Sequence, residues 1–288
     1  YEMKTVTLNQ HLEEETWNAD VVTHDGVFHA DEVFAVALLK ILCKLSGQTK
    51  IVRTRDKDFL EKAKSDSEIF VIDVGQSLWR ERKNFDHHQD VNIRSAFGLV
   101  VAAYLQELVR GVEVPLQGIF TRKFMQFVDT IDDWDCNRNN AHAIAADLPA
   151  GWRNLSQIIA GFNRIEYGDD YQNDAFTEAV EFAIAILHNE IYATQKAAEA
   201  DLAYDSRLIF GNNIALFDTF SPVWKSKGDH LFAVMPHTNG WQVLARDTAL
   251  AIIPSNAGSF PGFIFRHAAG FIATFTTKEN AVNFAKTL

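Results

Sequence analysis

The first third of this 288-residue chain alternates short apolar runs with stretches of helical pattern, and no other feature narrows its possible folds as far. Apolar runs at 20–23, 50–54 and 69–74 are separated by a helix-like stretch at 31–45 and a short polar one at 58–64. The strands are apolar along their whole length rather than alternating. That predicts a parallel sheet covered by helices on both faces, in which ligands gather at the carboxyl ends of the strands. The chain places its reactive side chains at such ends. The segment Thr23-His24-Asp25-Gly26-Val27-Phe28-His29-Ala30-Asp31-Glu32 begins at the end of the first run, Asp73 lies near the end of the third, and Asp86-His87-His88-Gln89 follows shortly after.

Helical patterns continue at 96–110 and 116–131, where Phe120, Phe124, Phe127, Val128 and Ile131 recur at three- and four-residue spacing and mark a core-facing stripe. A polar stretch rich in Asn and Ala covers 137–147. A long Ala-rich helix is expected over 174–201. Beyond residue 206 the texture turns to strands at 207–210, 214–217, 231–235, 241–245 and 271–275, with Asn239-Gly240 as a tight-turn pair and a last helix started by Thr276 and Glu279 at capping-box spacing. The predicted architecture is therefore α/β. An N-terminal parallel-sheet domain with helices on both faces spans 16–203 with its linker helix, and a smaller α+β domain spans 204–288.

Apolar residues make up 47% of the chain, ample for a core, and no stretch approaches the roughly 18 apolar residues of a membrane span. The formal charge of −11 argues against a protein that coats duplex nucleic acid, because that binding draws its strength from a broad basic surface. A nucleotide substrate stays open, since carboxylates that hold divalent cations present positive charge locally to a phosphate. Cys43 and Cys136 stand far apart without a CxxC pair. We read them as buried small hydrophobes, which excludes a disulfide framework and a thiolate zinc site. A reducing, cytoplasmic location is expected. Residues 1–15 carry no secretory pattern, but Tyr1 in place of Met leaves room for a trimmed segment and an organellar address.

Each candidate site residue has a structural alternative when taken singly. Asp31 is placed to cap the following helix, and His24 and His29 can be plain loop residues. Asp73 ends an apolar strand, where an ionised carboxylate needs either backbone hydrogen bonds or a cation. Asp86-His87-His88 mixes imidazole with carboxylate, a donor set suited to Mn²⁺, Fe²⁺ or Zn²⁺. Asp129, Asp132, Asp133 and Asp135 form a fourth acidic group, in which Asp129 and Asp132 share a helix face.

Taken in order, His24-x4-His29-x-Asp31, Ile72-Asp73-Val74-Gly75, Asp86-His87-His88-Gln89 and Val128-Asp129-Thr130-Ile131-Asp132 resemble the four signatures of the DHH phosphoesterase superfamily. Ile51-Val52-Arg53-Thr54-Arg55-Asp56 and the segment from Pro261 to Phe271 are similar to the Myg-type exonuclease family within it. The chain departs from that pattern at Asp25, Ala30, Gln76 and Asp133-Trp134, none of them a proposed ligand.

The resemblance implies His24, His29 and Asp31 around one cation, Asp73 bridging two, and His87 with Asp132, or Asp129 in its place, on the second. It also implies His88 facing the substrate phosphate, Asp86 supporting the neighbouring imidazole, and His267, Gly270 and Arg266 holding the substrate from the C-terminal domain. The implied activity is two-metal phosphodiester hydrolysis in an interdomain cleft, with manganese the first choice and magnesium, iron or cobalt accepted. A 3′-to-5′ exonuclease acting on RNA or short oligonucleotides is the leading expectation. Hydrolysis of a small phosphoanhydride or cyclic dinucleotide, or metal binding without turnover, are the alternatives.

Overall fold

The computed structural model describes residues 2–8 and 19–288. The sequence-based domain start at 16 and most of the N-terminal segment lie outside them. The chain divides into two compact units, Tyr1–Glu113 with Thr121–Tyr192, and Val114–Phe120 with Ala193–Leu288.

In the first unit six strands, β1 (Glu2–Thr7), β2 (Val21–Thr23), β3 (Gln48–Arg53), β4 (Phe70–Ile72), β5 (Leu78–Trp79) and β6 (Asn84–Phe85), form one sheet in the order β1-β3-β2-β4-β6-β5. All neighbours are parallel except β5 against β6. The edge strand β1, which the rhythm did not announce, pairs with β3 over six residues from Glu2↔Gln48 to Thr7↔Arg53. Every residue of β2 and β4 is buried, as expected of strands covered on both faces.

Helix α1 (Ala30–Ile41) is buried at every position from Ala30 to Lys40. A helix apolar nearly all round belongs inside a domain. Its one interior cation is accommodated because Lys40 Nζ donates to Thr49 Oγ1 at 2.8 Å and to Ser46 O at 3.1 Å. Helix α2 (Lys57–Ser65) is amphipathic and packs Phe59, Leu60 and Ala63 with Val22, Val52 and Val71 of the sheet. Truncating one such buried side chain costs about 2–5 kcal/mol, whereas an exposed ion pair contributes about 0–1. Burial rather than surface charge therefore sets this frame.

Helices α3 (Ala96–Leu108), α4 (Val114–Asp135), the short α5 (Ala141–Ala146) and α6 (Leu155–Ala160), and the 36-residue α7 (Asp169–Tyr204) follow. On α4, Phe120, Phe124, Val128 and Ile131 have no exposed surface, while Phe127 is half-buried against the rings of Phe34, Phe97 and Phe124.

The second unit holds β7 (Leu208–Phe210), β8 (Ile214–Leu216), β9 (Phe232–His237), β10 (Gly240–Ala245), β11 (Phe263–Arg266) and β12 (Ile272–Phe275) in the order β11-β12-β10-β9-β8-β7, with α8 (Lys278–Ala285) packed on it through Ala281, Phe284 and Ala285. Two local readings shift by one residue. His237 pairs with Gly240, so the hairpin turn is Thr238-Asn239, and Gly240 is required instead because a Cβ there would lie 2.3 Å from Phe275 O. Thr277, not Thr276, caps α8 by accepting from Asn280 N at 3.2 Å.

What positions the site is the register of the first sheet. Strands β2, β4 and β6 are consecutive neighbours running the same way, so the residues that follow them, His24, Asp73 and Asp86, emerge side by side. The chain leaves β2 for β3 on one side and then crosses back to β4 on the other, a reversal of the kind at which α/β sheets bind ligands.

Candidate metal centre

His24 leaves β2 with its ring oriented by Nδ1, 2.9 Å from Asp25 O. With Nδ1 donating to that carbonyl, Nε2 is the free nitrogen, and it faces Glu32 Oε1 at 3.0 Å and Asp73 Oδ2 at 3.3 Å. The loop then turns at Gly26, at φ +76°, whose carbonyl accepts from Arg53 Nη2 at 2.6 Å and Gln172 Nε2 at 2.9 Å. Arg53 is itself buried beside the edge-to-face pair of Phe28 and Phe176, whose centroids are 5.3 Å apart, with its guanidinium carbon 5.5 and 5.1 Å from them. The Arg-Thr-Arg-Asp segment thus fastens the ligand loop from beneath.

His29, not Asp31, is the N-cap of α1, and its backbone N–H donates to Glu32 Oε1 at 2.9 Å. Asp31 is free to point elsewhere: its Oδ2 accepts from Ala96 N at 3.2 Å and lies 3.4 Å from His87 Nε2.

Asp73 holds a left-handed backbone, φ +58°, immediately after β4. Such a conformation costs a non-glycine residue of order 1 kcal/mol or more and persists where the surroundings fix it. Here its N–H is tied to Phe85 O at 2.9 Å. Its Oδ1 is buried without a directed hydrogen bond, although His87 Nε2 lies 3.1 Å away and His88 Nδ1 3.6 Å away.

Asp86 organises the last segment. Its Oδ1 accepts from His87 N at 2.7 Å, His88 N at 3.1 Å and His88 Nδ1 at 2.6 Å, and Oδ2 accepts from Gln76 N at 2.6 Å. Behind His87, Nδ1 stands 3.7 Å from Cys136 Sγ.

Two groups of donors meet the spacing a cation requires. His24, His29, Glu32 and Asp73 each offer an atom within 4.8 Å of the others, and so do Asp73, His87 and His88. Asp73 belongs to both. Charge follows the same pattern. Burial opposes a proton on His24, yet Glu32 and Asp73 outweigh it and push the ring up to about 11. Burial likewise opposes a proton on His87, and Asp31, Asp73 and Cys136 push it up to about 12.

The adjacent carboxyls of α1 part company: burial raises Glu32 to about 7, while Asp31, though wholly buried, is held below the usual carboxylate range by His87. His29 is lowered by burial, and His88 is raised by Asp86. These surroundings demand positive charge at Nε2 of both His24 and His87. Divalent cations meet the same demand, and the buried oxygens Asp73 Oδ1 and Glu32 Oε2, neither of which accepts a directed hydrogen bond, fit as ligand atoms.

The structure does not bring Asp129 and Asp132 into these groups. Asp129 pairs with Arg94 Nη1 at 2.8 Å, half exposed. Asp132 is buried at the N-terminus of α3, where Oδ1 accepts from Ser95 Oγ and Oδ2 from Arg94 Nη1 at 2.6 Å. Gly98 makes room for it, since a Cβ there would lie 2.6 Å from both its oxygens. An anion in that place is stabilised by the helix dipole and its cap.

Two other acidic side chains, to which no role was assigned from the sequence, belong to this neighbourhood. Glu32 sits three residues after the cap at His29, and that spacing was its signal. Asp135 has Oδ2 buried without a partner, and burial, joined by Asp31, Glu32 and Asp73, pushes its carboxyl well up. Neither cysteine is a buried small hydrophobe: Cys43 is exposed in the turn after α1, and Cys136 is half-buried beside His87.

In the second unit His267 is exposed, with Nδ1 accepting from Ala269 N at 3.1 Å and its ring 4.4 Å from that of Phe271. Gly270, at φ +70°, leaves no room for a Cβ beside Ile252. The guanidinium of Arg266 donates to the carbonyls of Ile253, His267 and Ala268, which ties it to its own turn.

A largely parallel α/β sheet that delivers imidazoles and carboxylates from adjacent strand ends defines the class, an α/β protein with candidate metal-binding groups at one edge of its sheet. The profile of the MYG1_exonuc family, described as "Uncharacterised protein family (UPF0160)", matches residues 20–209, and the chain belongs to that family. It is similar to a MYG1 protein of Schizosaccharomyces pombe, 26% identical over 92% of this chain and 96% of that protein. A MYG1 protein of Chlamydia trachomatis is 28% identical over 90% and 93%, and a Bos taurus protein named MYG1 exonuclease is 28% identical over 92% and 83%. Among the described residues, no helix is long and apolar enough to cross a membrane.

Proposed function

We propose that this protein is a metal-dependent phosphodiester hydrolase of the DHH type, a 3′-to-5′ exonuclease acting on RNA or short oligonucleotides. The observation that carries this reading is the double membership of Asp73 in the two donor groups. His24, His29 and Asp73, with Glu32 alongside, would hold one cation, and Asp73 with His87, beside Asp31, the other. Manganese suits a set of imidazoles and carboxylates without thiolate, and magnesium is an acceptable substitute. Such a pair supplies a water acidic enough to ionise near neutral pH and positive charge for the phosphate oxygens.

The chain's own residues do the positioning. Asp86 accepts a hydrogen bond from His88 Nδ1 and fixes the ring in the lining of a cleft of about 840 Å³, where its other nitrogen is available to a phosphate oxygen. Buried helix α1 excludes water from behind the ligands, and the Arg53 clasp on Gly26 keeps the first loop in place. The name of the Bos taurus relative supports nuclease activity, while RNA preference and direction rest on the DHH resemblance.

The test pairs elemental analysis of the purified protein with the product ladder from end-labelled RNA, run beside pyrophosphate and a cyclic dinucleotide. Two equivalents of manganese and mononucleotides released from the 3′ end are expected. No bound metal, or hydrolysis confined to pyrophosphate or the cyclic dinucleotide, would overturn the assignment.

A further inference from the structure

One wall of the cleft above the candidate centre is cationic in a chain whose net charge is −11. Helix α2 turns Lys57, Leu60, Glu61 and Lys64 toward the cleft, the i, i+3, i+4, i+7 spacing of a single helical face, and Arg55 joins them from the turn before it. The facing wall carries His24, His29, Asp73 and His88.

Two of the cations are also anchored to the ligand loops. Arg55 Nη1 lies 2.6 Å from Asp25 Oδ1, next to His24, and Lys64 Nζ donates to Gly75 O at 3.1 Å, two residues past Asp73. Between them Lys57 is exposed at the first turn of α2. Glu61, the acidic member of the face, pairs with Lys64 at 2.6 Å, with its own side chain 72% exposed and that of Lys64 19%, and Arg55 and Asp25 are about half exposed. A pair exposed on both sides, as Arg55 with Asp25 is, is weak and gives way to a stronger anion, while Lys64 is held in place at the wall.

Resting on the hydrolase reading above, we propose that Arg55, Lys57 and Lys64 form a track for the non-scissile phosphates of a single-stranded oligonucleotide. The track makes a substrate with several phosphates bind better than one with a single phosphate. A strand threading past the metal ligands needs cations at the spacing of its backbone, and sequence-independent contacts of this type reveal themselves as salt dependence.

The test is binding of a fluorescent short oligonucleotide with hydrolysis-resistant phosphorothioate linkages to the full chain, by anisotropy across a series of potassium chloride concentrations. For single strands each lost phosphate contact lowers the slope of log affinity against log salt by about 0.7. Lys57→Gln should lower the slope by about one such step, and Arg55→Gln with Lys57→Gln by about two, while Lys286→Gln at the C-cap of α8, which removes the same charge in the second unit, should leave it unchanged. An unchanged slope in the double variant, an equal fall in Lys286→Gln, or a wild-type protein that does not bind the strand would each overturn the track.

Because Arg55 also braces the Asp25 loop, the single Lys57→Gln variant keeps the test decisive should the double variant fold poorly. The two proposals fail separately. A wild-type protein that binds with the full slope but leaves bis(p-nitrophenyl) phosphate intact removes the hydrolase reading and keeps the track. Hydrolysis of that one-phosphate ester together with an unchanged slope does the reverse.

Discussion

The Nε2 atoms of His24 and His87 face opposite oxygens of one carboxylate, Asp73 Oδ2 at 3.3 Å and Asp73 Oδ1 at 3.1 Å. Replacing Asp73 with Asn keeps the shape and removes the charge both imidazoles share. Supporting residues around a metal contribute 10–100-fold to affinity, as an order of magnitude, and a shared ligand should exceed that. Asp73→Asn should bind manganese at least about 100-fold more weakly by calorimetry. Two cations retained at wild-type affinity would remove the bridging role.

Asp31 and Glu32 lie buried on α1 with Asp73 close by. Bound cations neutralise that negative charge and bind only the folded chain, so occupancy at a hundred times Kd adds about 2.7 kcal/mol per site. Chelation should therefore lower the melting temperature by several degrees, and manganese should restore it. A melting curve indifferent to both would show that nothing binds there.

Asp132 is engaged by Ser95, Arg94 and the N-terminus of α3. Ser95→Ala removes a cap and a bond to a charged group, and should cost about 1–3 kcal/mol in chemical denaturation. Asp132→Asn should leave the metal count at two. A fall to one would return Asp132 to the ligand set.

Arg53 is buried and holds Gly26 O. Arg53→Leu leaves that carbonyl dependent on Gln172 alone and should cost about 1–3 kcal/mol. The metal sites should suffer with it, since His24 stands at the head of the same loop. Lysine cannot reproduce the forked donors that reach both Gly26 O and Asn173 Oδ1, so Arg53→Lys should rescue little. Full stability of either variant would count against the clasp.

Much of this arrangement was legible in the sequence because burial writes itself into strands and helices. The unbroken apolar runs of β2 and β4 announced a covered parallel sheet, and the groups that follow them announced chemistry. Contacts that depend on three dimensions were not legible. Asp129, Asp132 and Asp135 look alike in a helical acidic run, and only the packing of α3 shows that Ser95 and Arg94 take the middle one. Glu32 reads as an ordinary first-turn acid until His24 is seen 3.0 Å away. Edge strand β1 gave little sign because it is only partly buried and alternates polar with apolar residues.

In the ladder, Thr23 is opposite Arg53 and Val22 is opposite Val71. One residue along a strand is about 3.3 Å, as long as the gaps that join Asp73 to its two imidazoles. Inserting or deleting a single residue in β2 or β4 would slide one arm of the cluster wholly out of reach. An exchange of Val for Ile at the same place would merely be felt. The chain can drift in spelling across its first sheet, but it has no freedom in counting.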